Sequence, residues 1–498
     1  MGYVLGIDLG TSSLKGIVMN QQGGVVAEAS SAYEIDSRAP GFSEQHPEYW
    51  KDACEEVLTR LSREVPSFGA ELEAISFSGQ MHSLVVLDEA FRPVYPAILW
   101  NDVRTTRQCQ EITERFGKQI LEITKNRVLE GFTLPKILWL QENEAEIWNK
   151  VRHIMLPKDY LAFVLTGERH TDFSDAAGTL LFDVRKADWS DEICDEFGID
   201  RTLLPPACSS LEQVGVLKES YRERFGLKQA VKVFAGGADN ACAAFGAGLV
   251  NDEEALVSLG TSGVFSSFEQ GLSNYQGKLH FFNHVLPGVN YSMGVTLAAG
   301  NSLNWFKKAF GKGATFEELL RDVGEVAPGS DGLLFTPYIV GERTPYFDSE
   351  IRGSFIGIDT HHELKHFARA VLEGITFSLK DSQVLMEQAK NKRFERIISV
   401  GGGAKNADWM QIQADVFNAE MVQLEVEQGP GVGACMIAAV GCGWFDSAEA
   451  CREIFVHYKE VKFTPSPKNV ERYARFYKLY REVYPATKEL SKDLLSSL

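Results

Sequence analysis

This 498-residue sequence lacks a basic surplus: 68 acidic residues against 50 basic ones leave a formal charge of -18, and no run of Lys and Arg offsets it. Such a surface repels a phosphate backbone, so nucleic acid is not an expected partner. It also lacks any stretch of eighteen consecutive apolar residues, which argues against a membrane-spanning helix. The eight cysteines contain no Cys-x-x-Cys pair, and several lie in apolar runs such as residues 433–440. Reduced, buried thiols and a cytoplasmic location are therefore expected. The first residues carry no basic stretch or cleavage site and enter a strand directly. No G-x-x-x-x-G-K-[ST] occurs, so a P-loop is excluded as the phosphate site.

What is present is an ordinary globular composition, 44% hydrophobic, long enough for two large domains. Residues 3–35 read as an antiparallel meander of VLGIDL, LKGIVM and VVAEASSAYEI, followed by a helix entered at Pro47. Strands are expected at 74–78 and 84–87, and helices at 103–116 and 134–150. The last third alternates more regularly: helix 364–388, strand 396–400, turn GGGAKN, helix 408–417, strand 421–426 and a small-residue helix from Gly431. The pattern changes in FGAGLVNDEEA, which places a division near residue 245, between residues 1–245 and 246–498.

One phrase occurs twice, about 250 residues apart: GIDLGTSSLKG and VSLGTSG. Glycine lets backbone amides approach an oxyanion, and Thr and Ser add hydroxyl donors, so each turn suits phosphate oxygens. The candidates are Thr11 and Ser12 in the first turn and Gly260, Thr261 and Ser262 in the second. Asp8, at the end of the first strand, is placed to hold Mg²⁺, and Lys15 is a further phosphate candidate. Asp239, in GGADNACAAFG between a strand and a helix, is the candidate general base, with Asn240 beside it as a hydroxyl contact. Helix capping is the ordinary role of an Asp at such a place, and the two roles are compatible. Trp100, Asn101, Asp102 and Arg104 form a polar cluster able to bind hydroxyls, with helix capping the plainer role for Asp102. GGGAKN offers amides and a helix N-terminus to a nucleotide through Gly402 and Gly403. His362 to His366 matches H-E-x-x-H, the zinc-protease pattern, and GPGVGA at 429–434 matches a dinucleotide fingerprint outside its proper context.

GIDLGTSSLKG, LGTSG and VGGGAKN, in that order, resemble the phosphate and adenosine segments of the sugar kinase, actin and Hsp70 superfamily. Within it the chain resembles the FGGY carbohydrate kinases: GFTLPKILWLQEN (131–143) fits that family's first signature, and GSFIGIDTHHELKHFARAVLE (353–373) its second. WNDVRT, DFSDAAGT and GERTPYFD are also family-like, so the likeness spans almost the whole chain, and the second signature accounts for the H-E-x-x-H match. The resemblance implies an α/β fold of two actin-like, ribonuclease H-like domains flanking a cleft, with sugar on residues 1–245 and ATP on 246–498. It implies Asp239 as the base, and Gly402, Asn406, Gly300 and Asn304 as nucleotide contacts. SGQMHS at 78–83 is similar to the sugar loop of members that phosphorylate D-xylulose, which points to Gln80, Met81 and His82. The expected activity is ATP- and Mg²⁺-dependent phosphorylation of a ketopentose, D-xylulose first, at its C5 hydroxyl. Another ketose or polyol, an actin-like ATP switch, or a zinc hydrolase are the alternatives. Expected partners are a small sugar and ATP, with a homodimer left open.

Overall fold

The two Gly-Thr-Ser turns occupy the same place in two sheets built alike. The structure, a computed structural model, describes residues 2–497. In the first sheet Tyr3–Leu9 is central. It pairs antiparallel with Ser13–Asn20, which pairs antiparallel with Val25–Ala32. On its other side it runs parallel to Leu72–Gly79, which is parallel to Lys232–Phe234. The second sheet repeats this order. Glu254–Leu259 is antiparallel to Gly263–Glu269, itself antiparallel to Asn290–Thr296, and is parallel to Arg396–Gly401, beyond which lies the parallel Glu420–Gln423. Both Gly-Thr-Ser turns therefore join a central strand to its antiparallel neighbour. Ser258 stands where the first sheet has Asp8.

Alternation of side chains explains the layers. Leu5, Ile7 and Leu9 pack with Trp50, Val57 and Leu61 of helix Pro47–Glu64 in one buried cluster. The opposite face presents Gly6 and Asp8, and here helix Pro430–Gly441 approaches so closely that a Cβ on Gly6 would lie 2.2 Å from the Gly431 carbonyl oxygen. The same helix crosses Asp239–Gly246 through glycine: a Cβ on Gly433 would lie 2.0 Å from the Cys242 carbonyl oxygen. A last-third helix thus completes the support of the first sheet.

Helix Leu364–Lys390 and helix Ala407–Phe417 fall where the periodicity places them. Three elements depart from expectation. The helix expected at 103–116 runs Thr106–Thr124, because Asp102 binds the Ser43 and Arg104 amides instead of capping it. The helix expected at 134–150 breaks at Glu144 into Thr133–Asn143 and Ala145–Trp148. A 30-residue helix, Pro467–Ser496, has no counterpart among the expected elements.

The H-E-x-x-H residues do not share a helical face. His362 precedes the helix and accepts the Asp359 amide, while His366 Nδ1 accepts the Glu363 amide in a capping box. Gly429 has φ of 70° and Pro430 opens a helix there, so GPGVGA is a helix start with close packing. Among the described residues no helix is long and apolar enough to cross a membrane.

Candidate active site

Asp8 is the last residue but one of the central strand of the first sheet, opposite Ser78 on one side and Lys15 on the other. Burial pushes its carboxyl up to about 6, against the pull of Ser78 and Lys15. Lys15 is itself engaged by Glu28 at 3.0 Å and by Gln428. In the turn that follows, Thr11 is half-buried and Ser12 exposed, and the Thr11 hydroxyl accepts the Trp100 indole N–H at 2.9 Å. Trp100 is otherwise open to solvent, as is Asn101.

Asp239 is the first residue of helix Asp239–Gly246, reached through the short strand Gly237–Ala238. Its Oδ1 accepts the Asn240 amide at 2.6 Å and the Asn240 side-chain amide at 2.8 Å. Burial, then the neighbouring Asp8 carboxylate, push Asp239 up to about 7. An acid with this value exchanges protons near neutral pH. The two acids from the two motifs are therefore close in space.

The SGQMHS loop meets Asp239 through its neighbour: Asn240 Nδ2 lies 3.8 Å from the Met81 sulfur, which also receives the Tyr291 hydroxyl at 3.8 Å. His82 sits at φ of 66°, and its carbonyl is held by the Thr133 hydroxyl at 2.9 Å and by Lys136 Nζ at 3.0 Å. This is what residues 131–143 contribute. Burial lowers His82 to about 3, so the ring is neutral. Its Nδ1 lies 2.5 Å from the Gly178 carbonyl oxygen, which requires that nitrogen to carry the proton and leaves Nε2 an acceptor. A side chain at Gly178 would meet His82 Nδ1 at 2.8 Å. Phe132 and Phe282 flank the ring, with centroids at 4.6 and 6.0 Å.

Gln80 is buried with its amide nitrogen 3.3 Å from Gln45 Oε1. Asp102 and Arg104 pair with each other, and Arg104 with Glu44 as well: Arg104 Nη2 lies 2.6 Å from Asp102 and 2.7 Å from Glu44. The guanidinium also stacks over Phe42 at 3.6 Å. Both side chains are buried away from solvent.

On the second sheet, Gly260, Thr261, Gly300, Asn304, Gly402, Gly403 and Asn406 line one cavity of about 590 Å³. Ser262 is outside that lining, Thr11 and Ser12 lie on the other sheet's turn, and Lys15 lies on the strand that follows it. The Gly300 amide donates to the Gly260 carbonyl at 2.8 Å, and Asn301 to Thr261 at 3.0 Å, tying the second Gly-Thr-Ser turn to the start of helix Gly300–Phe310. Asn406 caps helix Ala407–Phe417 by accepting the Trp409 amide at 2.8 Å. Two helix N-termini thus open on the cavity, favouring anionic ligands, and Leu303, Phe316 and Leu320 give it an apolar wall. Phe316, Leu320, Tyr291, Phe282 and Lys136 are absent from the expected site. Their positions come from folding across distance, and only Lys136 lies within a motif, residues 131–143.

Two sheets of like order, with an acid and a histidine loop beside one and a glycine-rimmed cavity beside the other, have the form of an actin-like phosphotransferase. The family model described as "FGGY family of carbohydrate kinases, N-terminal domain" matches residues 3–246, and its C-terminal counterpart matches residues 255–442. The chain belongs to the FGGY family of carbohydrate kinases. It is 65% identical to a xylulose kinase of Lactococcus lactis, over 99% of each chain. It is 49% identical to a xylulose kinase of Bacillus subtilis, over 100% of this chain and 99% of that one. A crystal structure of a xyloylose kinase from Brucella ovis superimposes with a TM-score of 0.92 at 34% identity, covering 98% of this chain and 99% of that one.

Proposed function

We propose that the protein transfers the γ-phosphoryl group of ATP to the C5 hydroxyl of D-xylulose, and that it does so in the cytoplasm. The observation that carries the substrate side is the contact of Asn240 with Met81, which sets the sugar loop beside the base. Full-length identity to xylulose kinases supports the choice of sugar. The eight free thiols agree with a reducing compartment. In this reading residues 1–245 bind the sugar and residues 246–498 the nucleotide.

The hydroxyl oxygen attacks the γ-phosphorus as its proton passes to Asp239, and ADP leaves. His82 Nε2, Asn240 and the loop around Gln80 and Met81 orient the sugar, while buried Asp102 and Arg104 act from behind the Trp100 segment. The two Gly-Thr-Ser turns, with Lys15 on the first side, supply donors to the phosphates, and the 590 Å³ cavity takes the rest of the nucleotide. Asp8 fits a Mg²⁺ role, being a hard oxygen donor whose ionised form burial disfavours until a cation is present. Among the described residues no group of three or more side chains forms a metal cage. Mg²⁺ needs none, since it is bound through one or two carboxylates, waters and substrate phosphates. When bound, it would neutralise charge on the phosphate oxygens.

A panel of ketoses and polyols in a coupled ADP assay tests the assignment, with D-xylulose expected to give the highest kcat/KM. Failure of every sugar to stimulate ADP release would favour an ATP switch instead. His82→Ala is expected to raise KM for sugar more than KM for ATP, and the reverse result would move the sugar loop elsewhere. At Gly402 a Cβ would make only an ordinary 3.6 Å contact with the Leu259 carbonyl oxygen. Gly402→Val should therefore fold but fill the cavity, raising KM for ATP about tenfold or more, a loss of ~1.4 kcal/mol in binding. An unchanged KM for ATP would take the nucleotide out of this cavity.

A further inference from the structure

Behind the active site lies a charged cluster with no access to solvent. Lys158, Asp159, Asp172 and Asp175 all have side chains 0% exposed, and Lys158 Nζ lies 2.5 Å from Asp159, 2.8 Å from Asp172 and 3.6 Å from Asp175. One ammonium among three carboxylates is a poor source of stability, because desolvation offsets most of the Coulomb gain. Its connections suggest another purpose.

Asp172 Oδ2 accepts three hydrogen bonds: from the Ser174 amide at 2.8 Å, the Ser174 hydroxyl at 2.5 Å and the Ser210 hydroxyl at 2.7 Å. Both serines go on to hold the turn that precedes Asp239. The Ala238 amide donates to Ser174 Oγ at 3.0 Å, and the Gly236 amide donates to the Ser210 carbonyl at 3.2 Å. The turn is otherwise held by parallel pairing of Gly237 with Ser78 and of Ala238 with Gly79. Gly236 has φ of 78° and no room for a side chain, since a Cβ there would lie 2.2 Å from the Phe77 carbonyl oxygen. A Cβ on Gly237 would lie 3.2 Å from Ser174 Oγ. Lys158 closes the arrangement from the far side, packed over Gly79, the strand partner of Ala238.

We propose that Asp172, its charge balanced by Lys158, is a positioning residue that holds the Gly236 to Ala238 turn through Ser174 and Ser210, and so aims the Asp239 carboxylate. This rests on the reading of Asp239 as the base. Ser174 Oγ is the link closest to Asp239, and its loss leaves the Ala238 amide without its partner.

Steady-state kinetics of the full-length enzyme, with turnover expressed per ATP-binding site, test the proposal on three variants. Ser174→Ala and Asp172→Asn should lower kcat about 10- to 100-fold, the range that misplacement of a reacting group by a fraction of an ångström to an ångström produces, with KM for ATP and for sugar unchanged. A purely structural role would lower the number of ATP-binding sites and leave turnover per site intact. Ser174→Ala removes one oxygen atom and serves where Asp172→Asn fails to fold. Asp239→Asn is the reference. If it is inactive while Ser174→Ala turns over normally per site, the positioning role is overturned. If Asp239→Asn itself turns over normally, the base assignment falls and this proposal falls with it.

Discussion

Asp239→Asn should lose about 10² to 10⁴ in turnover and still bind ATP, because general-base catalysis is worth that much and no nucleotide contact is removed. The pH dependence carries the same information. The acid is pushed up to about 7 in the folded protein, so the fraction able to accept a proton falls as pH drops through that value. Wild-type kcat/KM should therefore decline about tenfold per unit well below pH 7. Stability runs the other way. A carboxyl raised above its unfolded value of about 3.9 takes up protons preferentially in the folded state, so its contribution to stability is lost as pH rises through 7. Asp239→Asn is then expected to melt at a higher temperature than wild type at pH 8, with the gap closing toward pH 4. Near-normal sugar phosphorylation by this variant would remove Asp239 from its role.

The second large effect belongs to Asp8. Asp8→Asn keeps the shape of the strand end but removes the charge, and it should lower turnover about 10² to 10³, the loss typical for one electrostatic stabiliser of a transition state. The Mg²⁺ concentration giving half-maximal rate should rise in the same variant. A fall in turnover with unchanged Mg²⁺ dependence would assign Asp8 to holding the strand end and not to the metal. The second sheet supplies the internal comparison. Ser258 occupies the place equivalent to Asp8, on a strand whose turn leads into the 590 Å³ cavity. The second sheet thus carries a hydroxyl where the first carries a carboxylate.

How far the sequence discloses this arrangement depends on distance along the chain. The two Gly-Thr-Ser hairpins, the parallel strands beside them and the helices of the last third are visible because each is a local pattern of apolar period and turn residue. Asp8 and Asp239 stand out for the same reason, at strand ends beside glycine. The breaks were less legible. Nothing local separates Glu144, where one helix becomes two, from its neighbours. Phe282 and Tyr291 reach His82 and Met81 from strands some 200 residues later, a meeting that no period encodes. The bonds to Asp172 from Ser174 and Ser210 are likewise invisible, although DFSDAAGT contains Asp172 and Ser174. Asp102 and Arg104 illustrate the opposite case, polar residues whose cluster is plain in the sequence while their commitment to each other and to Glu44 is not.

The close passage of Pro430–Gly441 over Gly6 and Cys242 also bears on how the chain acquires its structure during synthesis. The ribosome delivers the first sheet early, yet one face of its central strand stays bare until more than four hundred residues have emerged. Up to then Gly6 lacks the helix that passes over it, and the helix begun by Asp239 has no partner to cross. A nascent chain stopped short of residue 430 would hold every residue proposed for the sugar and for proton transfer, but not the helix that backs Gly6 and Cys242.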